Sequence, residues 1–591
     1  MTNEIDKLLS QKVIKETHRQ VGQIISPVFL REKKEGGYRL VLNLKKLNKF
    51  MNYIHFKMEN FEQAIRLISS GAFMASVDLK HAYYSVKIAE EQQKYLCFKW
   101  AGKIYQFTCL PNGASAGPRL FTKLLKPIFS FLRLKGYTIT SFIDDTLMCS
   151  KSVEDCVACL KDTVEILQNV GFCINVDKSV LVPTKRIEYL GNIIDSEAMT
   201  VTLPARRVKK IVESCSSLAS RNKAKIREVA WVVGMLVAAI PAVELGKLHY
   251  RILEKAKIGA LKIGKGNFDK FMTISKEMKM ELSWWISEVG TQVRKIIRTA
   301  PSVEVFTDAS DLGWGGCVLK HSTNGKWTTE ESCLHINARE LKAILFTLQS
   351  FAYLLKGCHV KVMCDNTTAI AYVNEMGGTK SLVCNSICID IWNWCISNDI
   401  WITCAHIPGK KNVLADEASR NFNDKHEWKL NPEIFKELCV VFGTPSIDLF
   451  ASRLNKQIDC FCSWRPDPEA KHVDAFTLNW ASFDLIYLFP PFSLITRCLQ
   501  KMREERAKGW MVVPMWNSQP WMGPLLQMLI KAPRLITQKT NVLRHPSSAE
   551  EHPIMTHTQL MACLLSGNNL EGEVYRQKVQ RLSWHRGDQV C

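Results

Sequence analysis

Residues 138–150 read TITSFIDDTLMCS, a β-rich run interrupted at its centre by Asp144 and Asp145. A run that turns acidic for two residues and then becomes apolar again predicts a β-hairpin with both acids at its crest. Two adjacent like charges in half-buried surroundings repel each other unless a cation neutralises them. Taken alone, the two letters favour a solvated turn.

A third carboxylate offers a metal site as the alternative to the turn. Asp78 lies in the β-rich stretch FMASVDL, 66 residues before Asp144. Adjacent strands would bring the two acids together, giving a constellation that can hold two ions for in-line displacement at phosphorus. Mg²⁺ is the natural candidate because it prefers carboxylate and phosphate oxygens.

The composition points to a folded chain with a polyanionic partner. The 591 residues contain 78 Lys and Arg against 57 Asp and Glu, a net charge of +21. A hydrophobic content of 47% excludes a disordered chain, and the length suggests about four domains. Because no polybasic tail carries the surplus, it must lie on folded surfaces, and a nucleic-acid backbone is the usual partner of such surfaces.

The chain shows no secretory or membrane signal. Its first 20 residues mix both charges, and no apolar run reaches a spanning length, so we expect an intracellular protein of the cytoplasm or nucleus with no membrane partner. The 21 cysteines are scattered, as reduced buried thiols are. Cys156 and Cys159 form one C-x-x-C, for which a helix core is favoured over zinc.

The pattern changes along the chain. Residues 1–200 alternate short β-rich runs with helical stretches, which predicts an α+β domain around a mainly antiparallel sheet. From Arg206 to Lys270 the sequence is helical and basic, with 15 Lys and Arg against 5 Asp and Glu. This concentration favours a nucleic-acid-facing surface over an ordinary solvated helix face.

A second α/β segment, from about 303 to 420, carries a second set of acids. They are separated by 32, 25 and 51 residues: Asp308, Glu340, Asp365 and Asp416. Any one of them could be a helix cap or a surface acid, and Asp308 and Asp365 both end β-like runs where caps occur.

In this context the first 200 residues resemble reverse transcriptases. Phe142 to Asp145 match the palm motif, with Phe where the family usually has Tyr. The other stretches follow in the family's order: SPVFLREKKEGGYRLVLNLKKLN, SVDLKHAYYSVKI, LPNGASAGPRLF, GFCINVDKS and EYLGNIID. The resemblance implies a right-hand fold of fingers and palm, with the basic helices beyond Pro204 as the thumb.

The resemblance also implies residue roles. Asp78, Asp144 and Asp145 would be catalytic metal ligands for two Mg²⁺ or Mn²⁺ ions. Other roles are nucleotide binding by Arg39, aided by Lys33 or Lys34, ribose 2′-OH exclusion by Tyr83, template gripping by Asn112 and Gly113, and proton donation to pyrophosphate by Lys178.

The second acid set resembles the Asp-Glu-Asp-Asp set of ribonuclease H, which holds two Mg²⁺ ions and cuts RNA in an RNA–DNA hybrid. His406, in AHIPGKKNVLADEASR, occupies the place of the family's mobile histidine, which assists proton transfer or product release. Ser310 and Asn366 are candidates for contacting the RNA strand.

The stretches GWGG, HINARELKA and DNTTAIAYVNEMGG look most like DIRS-like, tyrosine-recombinase retrotransposons. Residues 431–531 resemble the adenine-N6 methyltransferase-like unit of those elements. Active enzymes have Asp or Asn before the Pro-Pro pair, whereas Phe489 precedes Pro490 here. Phenylalanine cannot accept the amine's hydrogen bond, so we expect a degenerate, inactive unit.

The sequence therefore predicts a multidomain α+β and α/β polymerase and nuclease. The expected domains are fingers and palm at 1–200, thumb at 201–300, ribonuclease H at 301–422, a methyltransferase-like unit at 423–535 and a tail at 536–591. Its partners would be RNA template, DNA primer, RNA–DNA hybrid and deoxynucleoside triphosphates. Because no recombinase signature is found, a separate recombinase or integrase is expected. The alternative is a decayed or domesticated element protein that binds nucleic acid without catalysis.

Overall fold

The computed structural model describes residues 1–32, 37–52, 54–422, 427–537, 541–546 and 550–587, with side chains up to 580. The chain divides into two compact units, Met1–Arg298 and Thr299–Cys591. Among the described residues, none of the helices is both long and apolar enough to cross a membrane.

The first unit is built around a mainly antiparallel sheet, as the sequence predicted. The strand order is Val180–Thr184, Phe73–Lys80, Asp145–Ser150 and Thr138–Phe142, and Cys173–Ile174 pairs with the end of Phe73–Lys80. The helices Gly117–Leu134 and Val153–Asn169 pack on this sheet through apolar side chains. Cys156 and Cys159 are fully buried in that core, which confirms the helix-core interpretation.

Smaller sheets flank the central one. The hairpin of Val28–Glu32 and Tyr38–Leu42 is antiparallel, and the expected nucleotide-binding residues Lys33 and Lys34 lie outside the described residues. A three-stranded sheet has the order Ile14–Thr17, Lys103–Phe107 and Cys97–Trp100. The remaining helices of this region are Thr2–Ser10, Leu47–Lys49, Phe61–Arg66, Ala82–Ser85 and Glu90–Gln93.

The basic segment is helical, as predicted. Its helices share one core with Trp285: Ala205–Ala219, Ile226–Ala239, Arg251–Ile263 and Lys276–Glu288. A 3-10 helix, Glu244–His249, lies between the second and third. The accompanying strands are Arg186–Tyr189, Asn192–Asp195, Thr200–Thr202 and Arg294–Lys295 in one sheet and Lys223–Lys225 with Phe271–Thr273 in another.

The second unit begins with a mixed five-stranded sheet, here called the N-terminal module. Its order is His321–Lys326, Gly313–Val318, Val303–Ala309, His359–Cys364 and Trp401–His406. The first three strands are antiparallel and the last three are parallel. Its helices are Thr329–Ser332, Ile336–Ser350, Ala352–Leu355, Thr367–Asn374, Leu382–Ser397, Gly409–Lys411 and Val413–Arg420.

The C-terminal module, residues 427–587, has its own five-stranded sheet. The order is Ile447–Asp448, Ile486–Leu488, Lys508–Pro514, Leu560–Ser566 and Arg534–Ile536. Its helices are Pro432–Phe442, Ala475–Thr477, Trp480–Ser482, Phe492–Leu494, Ile495–Glu505, Met522–Gln527, Pro553–Thr556 and Asn569–Gly587. Two strand pairs complete it: Lys429–Leu430 with Leu543–Arg544, and Cys462–Ser463 with His472–Val473.

The expectation that residues 536–591 form a separate tail is wrong. Leu560–Ser566 pairs with Lys508–Pro514 on one side and with Arg534–Ile536 on the other. All seven of its residues are buried. A short apolar run buried on both faces shows no alternation, so its sequence cannot be told from that of a buried helix.

Candidate active sites

Three carboxylates meet at the end of the central sheet of the first unit. Asp78 lies directly opposite Asp145 in the antiparallel pair of Phe73–Lys80 and Asp145–Ser150. Asp144 occupies the hairpin turn, and its carbonyl accepts a 3.1 Å hydrogen bond from the Leu79 N–H. Ile143 holds a φ of 58°, a left-handed conformation that costs energy for a β-branched residue. The sequence correctly predicted this juxtaposition.

Two residues to which the sequence assigned no role, Asn175 and Ser179, fix Asp78. The Asn175 Nδ2 donates to Asp78 Oδ1 at 2.8 Å, and the Asn175 N–H donates to the Asp78 carbonyl at 2.8 Å. The Asp78 N–H donates to Ser179 Oγ at 3.0 Å. Both partners lie in the stretch GFCINVDKS, in which the resemblance had implied a role for Lys178 alone.

The three carboxylates repel one another. Burial, followed by the charges of Asp144 and Asp78, raises the pKa of Asp145 to about 7. Burial and the charge of Asp78 also raise the pKa of Asp144, although Arg39 and Lys178 partly offset this. A cluster with this excess of negative charge is suited to a divalent cation.

Two of the expected nucleotide-binding residues lie within electrostatic reach of the acids. Arg39 is exposed on the strand Tyr38–Leu42, and its charge lowers the pKa of Asp144. Lys178 acts on both Asp144 and Asp145 in the same direction. The site therefore offers positive charge on an otherwise acidic rim.

Tyr83 faces the same site. Its ring packs edge-on against Phe121 with centroids 5.5 Å apart. Burial, and then the charge of Asp144, raise the pKa of Tyr83, so its phenol lies within electrostatic range of that acid. A ring held in this way can form one wall of a sugar-binding space.

Asn112 and Gly113 hold the chain close to the fingers-like hairpin. The Asn112 Nδ2 donates to the Tyr84 hydroxyl at 3.2 Å. Gly113 has a φ of 118°, and a Cβ there would lie 2.3 Å from the Leu42 carbonyl oxygen. Glycine is thus required at this position by backbone geometry.

A second carboxylate cluster lies in the N-terminal module. Asp308 is on the central strand Val303–Ala309, Glu340 is on the helix Ile336–Ser350, and Asp365 follows the strand His359–Cys364. Ligand atoms of Glu340, Cys364 and Asp365 lie within 4.8 Å of one another. The sulfur of Cys364 is 3.8 Å from Glu340 Oε2, a neighbour that the sequence did not indicate.

This cluster also carries excess negative charge. Burial, followed by the charges of Asp308 and Asp365, raises the pKa of Glu340 to about 8. Burial raises the pKa of Asp308 as well, and a 2.7 Å hydrogen bond donated by Ser419 opposes that shift. The arrangement again fits a divalent cation held by oxygen ligands.

The fourth acid, Asp416, lies at the edge of the cluster. It is paired with Arg420 one turn later at 2.8 Å, while its charge still raises the pKa of Asp308. Asp416 shares the helix Val413–Arg420 with Ser419, whose hydroxyl oxygen lies 2.9 Å from the Asp416 carbonyl oxygen.

His406 ends the strand Trp401–His406 and is exposed. Its Cα pairs with that of Cys364, next to Asp365. A Cβ at Gly409 would lie 3.0 Å from Asp365 Oδ2, so this loop approaches the acid closely. No sequence pattern had indicated a role for Gly409.

The two candidate RNA-contacting residues have structural roles instead. Ser310 is buried, donates to the Ser419 carbonyl at 2.6 Å and accepts the Gly313 N–H at 3.1 Å. Asn366 caps the helix Thr367–Asn374 by accepting the Ala369 N–H at 3.0 Å. The expectation for Ser310 is therefore wrong, because its hydroxyl is fully engaged within the core.

In the C-terminal module, Phe489 lines a cavity of about 400 Å³. Other rings on its wall are those of Phe450 and Phe476. Nearby, Asp448 is fully buried, accepts the Gln457 N–H at 3.2 Å and has its pKa raised by burial to about 7.

Comparisons with known proteins agree with the positions of the two clusters. Residues 31–194 match the family "Reverse transcriptase (RNA-dependent DNA polymerase)", and residues 299–384 match the "RNase H-like domain found in reverse transcriptase". The first range contains Asp78, Asp144 and Asp145, and the second contains Asp308, Glu340 and Asp365.

Similar proteins come from viruses and a transposon. The chain is 25% identical over 439 residues to an enzymatic polyprotein of cassava vein mosaic virus, covering 70% of the chain and 64% of that protein. It is 26% identical over 447 residues to the transposon Tf2-3 polyprotein of Schizosaccharomyces pombe, covering 71% and 30%. The chain thus spans less than two thirds of these relatives.

A foamy viral protease-reverse transcriptase solved in complex with an RNA/DNA hybrid is 17% identical, with a TM-score of 0.43, and the similarity covers 68% of this chain and 52% of that one. From the two family matches, the chain carries a reverse transcriptase domain followed by a ribonuclease H-like domain.

Proposed function

We propose that the protein is an RNA-directed DNA polymerase with ribonuclease H activity. The observation that supports this most is the presence of two separate carboxylate clusters, in which burial and mutual repulsion raise the pKa of Asp145 and of Glu340. The reverse transcriptase match contains all three acids of the first cluster, and the RNase H-like match contains Asp308, Glu340 and Asp365 but not Asp416. The polymerase would copy retroelement RNA into DNA, and the nuclease would remove the RNA strand of the resulting hybrid.

In the polymerase, Asp78 and Asp144 would hold two Mg²⁺ or Mn²⁺ ions, with Asp145 supporting them. When bound, such ions activate the primer 3′-OH and neutralise charge on the α-phosphate. Arg39 would contact the triphosphate of the incoming deoxynucleotide, and Lys178 would protonate the leaving pyrophosphate. Tyr83 would exclude a ribose 2′-OH by occupying the space beside the sugar.

In the nuclease, Asp308, Glu340, Asp365 and Asp416 would hold a second pair of ions. Exposed His406 would move a proton at the edge of the site or assist product release. The basic helices of the first unit would contact the template–primer backbone, since 15 Lys and Arg lie between residues 206 and 270.

The source we propose is a DIRS-like retrotransposon, with integration left to a separate recombinase or integrase. The C-terminal module would be methyltransferase-like and inactive, because Phe489 offers no acceptor to an amine. The protein would act in the cytoplasm or nucleus, where deoxynucleotides and RNA templates are present.

Separating the two activities tests the proposal. Asp144→Asn should lower primer extension on an RNA template by more than about a hundredfold, since a metal ligand is lost, while hybrid cleavage stays within about twofold. Asp365→Asn should have the opposite effect. Both are measured on the full chain with Mg²⁺, with Asp399→Asn, an exposed acid, as control.

Loss of both activities in either variant would contradict two independent sites. A wild-type chain that binds template–primer duplex but neither extends nor cleaves would instead support the non-catalytic alternative.

A further inference from the structure

Arg453 of the C-terminal module is buried against the N-terminal module. Its guanidinium donates to both carboxylate oxygens of Glu331 at 3.0 Å and to the Lys326 carbonyl at 3.0 Å. The side chains of Arg453 and Glu331 are only 8% and 10% exposed. A buried, two-pronged pair of this kind fixes geometry, because removing one partner leaves an uncompensated charge.

This contact reaches the helix that carries Glu340. The guanidinium of Arg453 lies 4.6 Å from the ring centre of Phe346. Lys342 also donates to Glu331 Oε1 at 3.1 Å. Both Phe346 and Lys342 belong to the helix Ile336–Ser350, so Arg453 is tied to that helix through two side chains.

A second arginine reaches the helix that carries Asp416. Arg465 donates a hydrogen bond to Asn324 Oδ1. The Nδ2 of Asn324 in turn donates to the carbonyls of Ala418 at 2.9 Å and Asn421 at 2.7 Å. These carbonyls lie at the end of the helix Val413–Arg420, whose Ser419 donates to Asp308 at 2.7 Å.

We infer that the C-terminal module acts as a brace for the nuclease centre, with Arg453 and Arg465 as positioning residues for its carboxylates. The two arginines contact different side chains, and each set of contacts leads to a helix that carries one of the four acids. Carboxylates that share ions must be held in place by their outer contacts. The inference rests on the proposed nuclease function.

The test uses Arg453→Met and Arg465→Met in the full chain. Each should lower hybrid cleavage about tenfold and raise the Mg²⁺ concentration for half-maximal cleavage, as loss of an outer-shell contact does. Arg453→Lys should fall in between, since it keeps the charge and loses the fork. Lys436→Met, which removes an exposed ion pair of the same module, should change neither quantity.

Primer extension by the same variants serves as an internal reference and should stay within about twofold of wild type. Unchanged cleavage and unchanged Mg²⁺ dependence in both methionine variants would overturn the brace. If the wild-type chain cleaves no hybrid, the proposed function fails, and hydrogen exchange then decides the inference alone.

Backbone hydrogen exchange should become faster in the helix Ile336–Ser350 of Arg453→Met and in the helix Val413–Arg420 of Arg465→Met. The increase should be larger there than in the strand Leu560–Ser566. Equal protection in wild type and variants would overturn the inference. A uniform loss of protection from exchange across both modules, seen also in Arg453→Lys, would overturn the inference too. In that case the contact would only hold the fold together.

Discussion

Asn175 shows how a single side chain can fix a carboxylate of the proposed polymerase site. It holds Asp78 from two directions, through its side-chain amide and through its backbone N–H. The backbone bond is available to every residue except proline, so the side chain can be tested with little effect on folding.

We expect Asn175→Ala to lower primer extension about tenfold or more and to raise the Mg²⁺ requirement, because outer contacts orient metal ligands. The free energy of unfolding should fall by only about 1 kcal/mol, the usual worth of one hydrogen bond. Steady-state extension across a Mg²⁺ titration measures this, with exposed Asn169→Ala as control. An unchanged Mg²⁺ profile would show that Asn175 does not position Asp78.

At the same scale, the sequence predicted which acids converge but not what holds them. Asp78, Asp144 and Asp308 were found because acids at the ends of β-rich runs stand out. Asn175, Ser419 and Gly409 were missed because a polar residue or a glycine in a loop is common, and only its neighbour in space gives it a role.

Glu281 illustrates an element held by one buried carboxylate. Its two oxygens accept the N–H groups of Ile252 and Leu253, each at 2.9 Å, at the start of the helix Arg251–Ile263. Burial raises the pKa of Glu281 to about 7 despite these bonds. The first turn of a helix leaves such donors unsatisfied, so the carboxylate replaces a local cap.

The pH dependence of stability follows from this shift. The folded-state pKa of Glu281 lies above the unfolded value of 4.5. The contribution of Glu281 to the free energy of unfolding is therefore fully present below about pH 4.5 and is lost as pH rises through about 7. The change amounts to about 3 kcal/mol at most. Glu281→Gln should remove this contribution to the pH dependence of the unfolding free energy, measured by denaturant unfolding between pH 4.5 and 8. Glu288→Gln on the same helix should keep it. An identical slope in wild type and Glu281→Gln would refute the assignment.

Helices were easier to predict than edge strands. The basic helices after Pro204 follow from their sequence pattern. The strand His321–Lys326 has no apolar run, since it is an edge of the sheet with polar side chains, and pairing with Gly313–Val318 alone makes it a strand.

At the level of the whole molecule, the strand Leu560–Ser566 completes the C-terminal module. Chain termination after His557 deletes this strand, which pairs with Lys508–Pro514 on one side and Arg534–Ile536 on the other. The lost burial of several large apolar side chains, at about 2 to 5 kcal/mol each, exceeds the stability of an ordinary domain. We expect the module to lose its cooperative thermal unfolding and its resistance to proteolysis.

Termination after Asn568 is the matched control, since it keeps the strand and removes only the helix Asn569–Gly587. This shorter deletion should leave a protease-resistant module. Primer extension should survive in both proteins, because the first unit is a separate compact body. A module that stayed cooperative after termination at His557 would mean that the strand is dispensable.

The sequence by itself predicted the reverse transcriptase and ribonuclease H-like domains, their order and the acids that the fold brings together. It could do so because those features depend on residue type and local periodicity. The tertiary structure decided the rest: Ser310 is a core residue, residues 560–566 are an internal strand of the sheet, and Arg453 is buried against Glu331. These depend on contacts between residues far apart in the chain, which no local pattern encodes.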